Sequence, residues 1–291
     1  MAYWAAGNQA QPLLIALHTW SGDFQQNCDA YGDWCVENNW NFVFPNFRGP
    51  NWTPAGCGSE LMVADIVSAV NYAKKLAQVD DTRIYLIGGS GGGHAALLLA
   101  GRHPEIWAAV SAWCPISDIL RWYQETGGTQ YAGHIEKAVG GNPDLNQLAA
   151  SECVKRSPLT YLGQAKGLIV DINTGIHDGH TGSVPVIHSF LAFNKLAAKE
   201  DQISHADIEY MVKNQAIPSS LGIAVEDKSY GEYVVLFRRI SDKVRLTVFN
   251  GGHDILAKTG LCLLAQQRHG QLPIWNMSLN RDDVIMNNLF E

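Results

Sequence analysis

The stretch LIGGSGGGHAALLLA, residues 86–100, sets one serine, Ser90, among five glycines, between an apolar run that reads as a strand and one that reads as a helix. A serine hydroxyl is a poor nucleophile unless a base takes its proton and donors hold the oxyanion that forms. A sharp strand-to-helix turn meets both needs: it lifts the side chain out of the sheet and aims the next N–H at the developing charge. Such a turn brings helix and strand into close contact, so its neighbours must be small. Gly88-Gly89-Ser90-Gly91-Gly92 fits this G-x-S-x-G pattern in the right context. Glycine-rich turns of this kind can instead cradle a phosphate. Here the spacing is not G-x-G-x-x-G, no lysine follows as a P-loop requires, and about 80 residues precede the turn.

The rest of the chain supplies the setting for such a turn. LLIAL (13–17), FVF (42–44), IYLIG (84–88), AAVSAW (108–113), GLIVDI (167–172) and RLTVF (245–249) have the length and branching of buried strands. Helical patterns lie between them, at about 24–37, 60–77, 91–102, 184–198 and 254–267. Alternation of this kind predicts an α/β protein, one domain over 1–291 with a mostly parallel sheet covered on both faces. Two stretches break the rhythm and are expected to form lid-like insertions over one end of the sheet. Residues 117–160 read as helices and turns, and 200–243 as a polar helix followed by a hairpin turning at Ser241-Asp242-Lys243.

An elbow serine calls for an acid and a histidine, in the order Ser, Asp, His, each just past a later strand. His253 in NGGHD follows RLTVF and is the expected general base; His94, His103, His188 and His269 fall in helices or in the tail. Two aspartates compete for the acid. Asp178 lies in the loop TGIHDGH, where a carboxylate can reach an imidazole N–H, whereas Asp171 sits inside the strand GLIVDI. Asp178 is favoured. His177 and His180 flank it, and a metal reading of HDGH is the alternative for that loop. The oxyanion donors expected are the N–H groups of Gly91 and of Trp20, in the loop after LLIAL. Arg48, Trp52, Trp113, Asp118, Trp122 and His180 fall in segments expected at the C-terminal edge of the sheet, where they would line a substrate pocket.

Composition narrows the partners. With a net charge of −7 and its few basic pairs inside predicted elements, the chain is a poor match for nucleic acid or anionic membranes. No apolar run approaches the ~18 residues of a membrane span, and MAYWAAGNQAQP lacks the pattern of a signal peptide, so a soluble protein is expected, its compartment open. The six cysteines form no zinc pattern. Cys28 and Cys35, seven apart in a predicted helix, would stand roughly 10 Å apart along it, beyond disulfide reach. No metal and no cofactor are expected.

Together, LHTWSGD, PNFRGP, the DI-x(3)-V-x-Y of Asp65 to Tyr72, DDTRIYLIGGSGGGHAALLLA, the G-x-x-D of Gly175 to Asp178 and GGHD resemble, in order and spacing, the catalytic domain of the prolyl oligopeptidase-like α/β-hydrolases. The resemblance runs from about residue 12 to 268. It implies an α/β-hydrolase fold and serine hydrolysis with Ser90, Asp178 and His253 as the triad. Peptidases of that family usually carry a bulky residue after the serine and an N-terminal propeller. Here Gly91 follows Ser90 and no propeller is read, so the chain looks more like the stand-alone esterases related to the family, acting on a small-molecule or saccharide ester. An oligopeptidase or acyl-peptide hydrolase is the alternative within enzymes, and a non-catalytic hydrolase-fold binding module the alternative outside them. Oligomeric state is not legible in these residues.

Overall fold

The computed structural model describes residues 1–222 and 224–276. In chain order the elements are β1 (Ala2–Tyr3), β2 (Gln11–Leu17), α1 (Asp29–Glu37), β3 (Asn41–Val43), α2 (Glu60–Leu76), β4 (Val79–Gly89), α3 (Gly91–Arg102) and β5 (Ala109–Trp113). There follow α4 (Ile119–Glu125), α5 (Gln130–Val139), α6 (Gln147–Lys155), β6 (Ile169–Gly175), α7 (Ile187–Leu196), α8 (His205–Asn214), β7 (Val235–Ser241), β8 (Val244–Phe249) and α9 (Ala257–Leu264). The strands make one sheet in the order β1-β3-β2-β4-β5-β6-β8-β7. Its centre, β3 to β8, is parallel, while β1 and β7 close the two edges in antiparallel pairing. This is the α/β-hydrolase fold expected from the sequence.

Alternation along the strands divides the core. Leu13, Ile15 and Leu17 of β2 pack with Met62, Val63 and Ile66 of α2, with the apolar side of α3 and with Phe190 and Phe193 of α7. Leu14 and Ala16, pointing the other way, join Cys35 of α1 and Leu261 and Leu264 of α9 on the opposite face. Both faces are thus dry, which is why the central strands read as unbroken apolar runs.

The predicted helix at 24–37 begins only at Asp29, and those at 184–198 and 254–267 are shorter at both ends. A larger difference concerns the stretch 200–243. Its hairpin is present, turning at Asp242 with φ 48°, but Val235–Ser241 joins the sheet as edge strand β7 rather than lying over its end. The stretch 117–160 is helical as expected; α4, α5 and α6 enclose a separate apolar cluster with Trp20, Cys57 and Val184. All six cysteines are free thiols. No helix among the described residues is long and apolar enough to cross a membrane.

Candidate active site

Ser90 stands between the last residue of β4 and the first of α3 with φ 57° and ψ −120°. A non-glycine residue in this region carries strain on the order of 1–3 kcal/mol and persists only where its surroundings fix it. Here the Ser90 N–H donates to the Trp113 carbonyl at 2.8 Å, and its own carbonyl accepts from the His94 N–H at 2.9 Å. None of the five surrounding glycines has a positive φ. Their role is close approach. A Cβ on Gly88 would collide with the Gly92 carbonyl, and one on Gly92 would lie 2.6 Å from the Leu17 carbonyl oxygen.

A Cβ on Gly91 would fall on the backbone nitrogen of Trp20 and 2.5 Å from its Cα, so the two peptides expected to hold an oxyanion lie against each other. The Trp20 loop is itself fixed. The Trp20 carbonyl accepts from the Asn51 N–H at 2.9 Å, and Gln26 Oε1 accepts from the Thr19 N–H at 2.9 Å. The N–H of Trp20 donates to no group among the described residues.

The loops after β6 and β8 carry the acid and the histidine, and parallel pairing of those strands, with Gly175 opposite Phe249, sets the loops side by side. Asp178 is buried; its Oδ2 lies 2.6 Å from His253 Nδ1, and its Oδ1 accepts from the N–H groups of Gly179 and Val184 at 2.9 and 3.2 Å. The competing Asp171 is committed elsewhere. Fully inside the sheet, it accepts from Arg245 Nε at 2.8 Å, Ser111 Oγ at 3.1 Å and Asn173 Nδ2 at 2.7 Å. The histidine loop also returns over the serine turn, because a Cβ on Gly89 would run into the side chain of Ile255, two residues past His253.

The six residues expected to line a pocket separate into groups. Trp113 is a correction: it is fully buried on the α9 side of the sheet, its indole N–H donating to Ser111 Oγ at 3.0 Å, so it is core and not pocket wall. Asp118 caps α4 by accepting from the Arg121 N–H at 3.1 Å, and Arg48 forms a two-armed ion pair with Asp65 of α2. His180 Nε2 lies 2.7 Å from the Val212 carbonyl, which ties the acid loop to α8. His177 bonds Gln215 and Asn250 through its two ring nitrogens, so the HDGH histidines brace the loop and do not converge as a metal pair. Trp122 is a second correction: 1% exposed in the apolar cluster of the helical insertion, it is core and not pocket wall, and it stands at the buried end of an aromatic series that reaches the half-buried Trp52. Trp122 meets Trp20 edge-on at 4.6 Å and Tyr131 at 5.1 Å; Tyr131 meets His134, whose ring lies tilted against Trp52 at 4.7 Å.

Gly182 and Cys114 went unmarked in the sequence reading. A Cβ on Gly182 would clash with Asp178 Oδ1 and lie 2.7 Å from His253 Cβ, so that glycine lets acid and imidazole meet. The recurrence of glycine in HDGHTGS was its only signal. Cys114 follows β5 directly, and no spacing singles it out. Among the described residues, one set with metal-ligating atoms lies within 4.8 Å: Cys114, Asp178 and His253. Clefts bordered by Lys166, Leu168 and Lys243 lie at the opposite, N-terminal ends of β6 and β8.

Residues 35–233 match the family model described as prolyl oligopeptidase family. Among curated proteins, feruloyl esterase B of Thermothelomyces thermophilus is 29% identical over 112 residues, covering 34% of this chain and 37% of that protein. The acylamino-acid-releasing enzyme of Mus musculus is 31% identical over 113 residues, covering 36% of this chain and 14% of that one. The matches thus span well under half the length of either curated relative. Among solved structures, a puromycin-hydrolyzing peptidase of Mycobacterium tuberculosis superposes with a TM-score of 0.55 at 15% identity, over 89% of this chain and 33% of its own. That likeness is one of fold.

Proposed function

Because this chain belongs to the prolyl oligopeptidase family, we propose that it is a serine hydrolase cleaving carboxylic esters through an acyl-enzyme. The observation that carries this reading is the strained Ser90 turn, with the His253 loop returning over it at Gly89, and an imidazole whose Nδ1 is held by the buried Asp178. Ser90 Oγ attacks the ester carbonyl while His253 Nε2 takes its proton. Asp178 keeps the imidazole N–H on Nδ1 and stabilises the imidazolium. The N–H groups of Trp20 and Gly91 hold the oxyanion. The protonated imidazole then gives its proton to the leaving alkoxide, and water, activated by the same His253, releases the acid. These groups supply each proton transfer without a cofactor.

Preference for an ester rests on Gly91, where peptidases of the family usually carry a bulky residue and where a Cβ would collide with the Trp20 backbone, and on the part-exposed rings of Tyr131, His134 and Trp52, which suit a flat acyl group or a sugar ring. Cleavage of an acylated peptide is the second reading, favoured by the likeness to the acylamino-acid-releasing enzyme. A panel of p-nitrophenyl, feruloyl, acetyl-sugar and methyl-uronate esters, run beside acylaminoacyl anilides, decides between them. Turnover of the anilides well above that of every ester would overturn the esterase assignment. Failure of all substrates, with no labelling of Ser90 by a fluorophosphonate, would overturn the hydrolase reading itself.

A further inference from the structure

The geometry points to a latent binding site for a thiophilic divalent cation, Zn2+ being the ion that fits, formed by Cys114, Asp178 and His253, whose occupation switches the hydrolase off. The three side chains come from the loops after β5, β6 and β8, and one ligating atom from each lies within 4.8 Å of the others. On the imidazole, Nδ1 lies 2.6 Å from Asp178 Oδ2, which makes it the nitrogen an ion shared with that carboxylate would take. Around tetrahedral zinc, sulfur, nitrogen and oxygen ligands stand roughly 3–4 Å from one another, so the set closes on an ion with small side-chain movements. A main-chain carbonyl or a water completes it; Cys114 Sγ already lies 3.5 Å from the Asp254 carbonyl oxygen.

The donor set selects the ion. One sulfur, one imidazole and one carboxylate suit zinc, whereas Ca2+ and Mg2+ require a shell of oxygens that this buried corner lacks. Cys114 and Asp178 are each 1% exposed, and the His253 side chain, 24% exposed, offers the side of entry. Burial, together with the Asp178 charge beside it, raises the Cys114 thiol well above its ordinary range. The free thiol is therefore protonated, and the ion must displace that proton.

Inhibition follows from imidazole chemistry. A neutral ring has one N–H and one free lone pair. Once the Nδ1 lone pair binds the cation, the ring proton moves to Nε2, where it can no longer accept a proton from Ser90. In balance, the thiol proton leaves to solvent, the imidazole proton moves from Nδ1 to Nε2, and no redox change occurs. Binding is thus favoured by rising pH. The inhibitory consequence rests on His253 as general base, as proposed above; the binding itself does not.

Cobalt(II) serves as a spectroscopic substitute for zinc, because a thiolate ligand gives a near-ultraviolet charge-transfer band. The band is measured in the full chain, in Ser90→Ala, in Cys114→Ala and in Cys114→Ser, the last pair guarding against a variant that fails to fold. In parallel, Zn2+ inhibition of p-nitrophenyl acetate hydrolysis is titrated against each active protein's own metal-free rate and reversed with EDTA. The expected result is a band in the wild type and in Ser90→Ala, its loss in both Cys114 variants, and an inhibition constant raised there by at least about tenfold, the loss that even an outer-shell change can bring. Absence of the band, or its persistence without Cys114, overturns the site whatever the turnover. A Cys114-dependent band with ester turnover untouched overturns the switch and places the fault with His253 as the base.

Discussion

Asp178 Oδ2 and His253 Nδ1 lie 2.6 Å apart although 75 residues separate them in the chain. If that contact orients the imidazole for Ser90, Asp178→Asn lowers kcat by up to about four orders of magnitude at neutral pH, because the amide favours the wrong tautomer. KM moves little. Asp171→Asn acts on the fold instead. It breaks a fully buried pair with Arg245, and loss of about 3–5 kcal/mol of stability is expected, with activity per folded molecule retained. Steady-state kinetics and thermal melts of both variants on one good ester check this. An active Asp178→Asn beside a folded, inactive Asp171→Asn would move the acid into the strand.

Ser90→Ala is expected to remove at least about three orders of magnitude of kcat and leave the fold intact, since the Ser90 backbone bonds do not involve its hydroxyl. Gly91→Val tests the neighbouring peptide. Its side chain would press on the Trp20 backbone, so kcat should drop by roughly 10²-fold or more, the cost of losing one oxyanion donor. An unchanged kcat in Gly91→Val would remove the Trp20 and Gly91 assignment.

Trp122 links the helical insertion to the Trp20 loop through ring packing at 4.6 Å and donates its indole N–H to the Ser183 carbonyl at 2.8 Å. Trp122→Ala is expected to cost about 3–5 kcal/mol of stability and, by loosening Trp20, to lower kcat by roughly ten- to a hundredfold. Trp122→Phe keeps most of the packing and should fall between. Melting temperature and kcat measured on all three proteins distinguish this from a packing role alone, in which stability falls and kcat per folded molecule stays.

Burial holds the pKa of His94 down at about 4, with the Arg156 carbonyl 2.8 Å from Nε2. Its unfolded value is near 6.5. Between these two values the unfolded chain binds a proton that the folded chain refuses, so stability is full above pH 6.5 and falls as the pH drops toward 4, by up to about 3 kcal/mol. His94→Gln should flatten that slope whatever its effect at neutral pH. Denaturant midpoints at pH 7 and pH 5 measure it, a window above the range where most carboxylates titrate. Equal slopes in the two proteins would count against the buried neutral imidazole.

The central strands and the Ser90, Asp178 and His253 positions were legible because each leaves a local trace: an unbroken apolar run for a strand buried on both faces, small residues flanking a tight turn, polar loops just past strand ends. Trp113 was misplaced because strand alternation tells which residues share a face, here Ala109, Ser111 and Trp113, but not which helix covers it. Asp118 carried its own signal as an N-cap before ILRWY, and the cap accounts for it without a ligand. Arg48 was lost to Asp65, a partner 17 residues on that no local pattern names. The edge strand Val235–Ser241 read as part of an insertion because Arg238 and Arg239 cut its apolar run short; burial, not residue type, roughly alternates along it, as expected when only one face is covered.

The meeting of Asp178 and His253 depends on the register of β6 against β8, not on the backbone between them, which leaves through α7 and α8 and returns by the β7 hairpin. The two halves of the centre are therefore separable objects joined by a lattice of sheet hydrogen bonds. A polypeptide opened at the exposed Ser219 and Ser220 has one fragment carrying Ser90 and Asp178 and another carrying His253. Reassociation of such fragments through β6 and β8 would rebuild the site, so the fold lends itself to complementation, with recovered ester turnover reporting that two pieces have found each other.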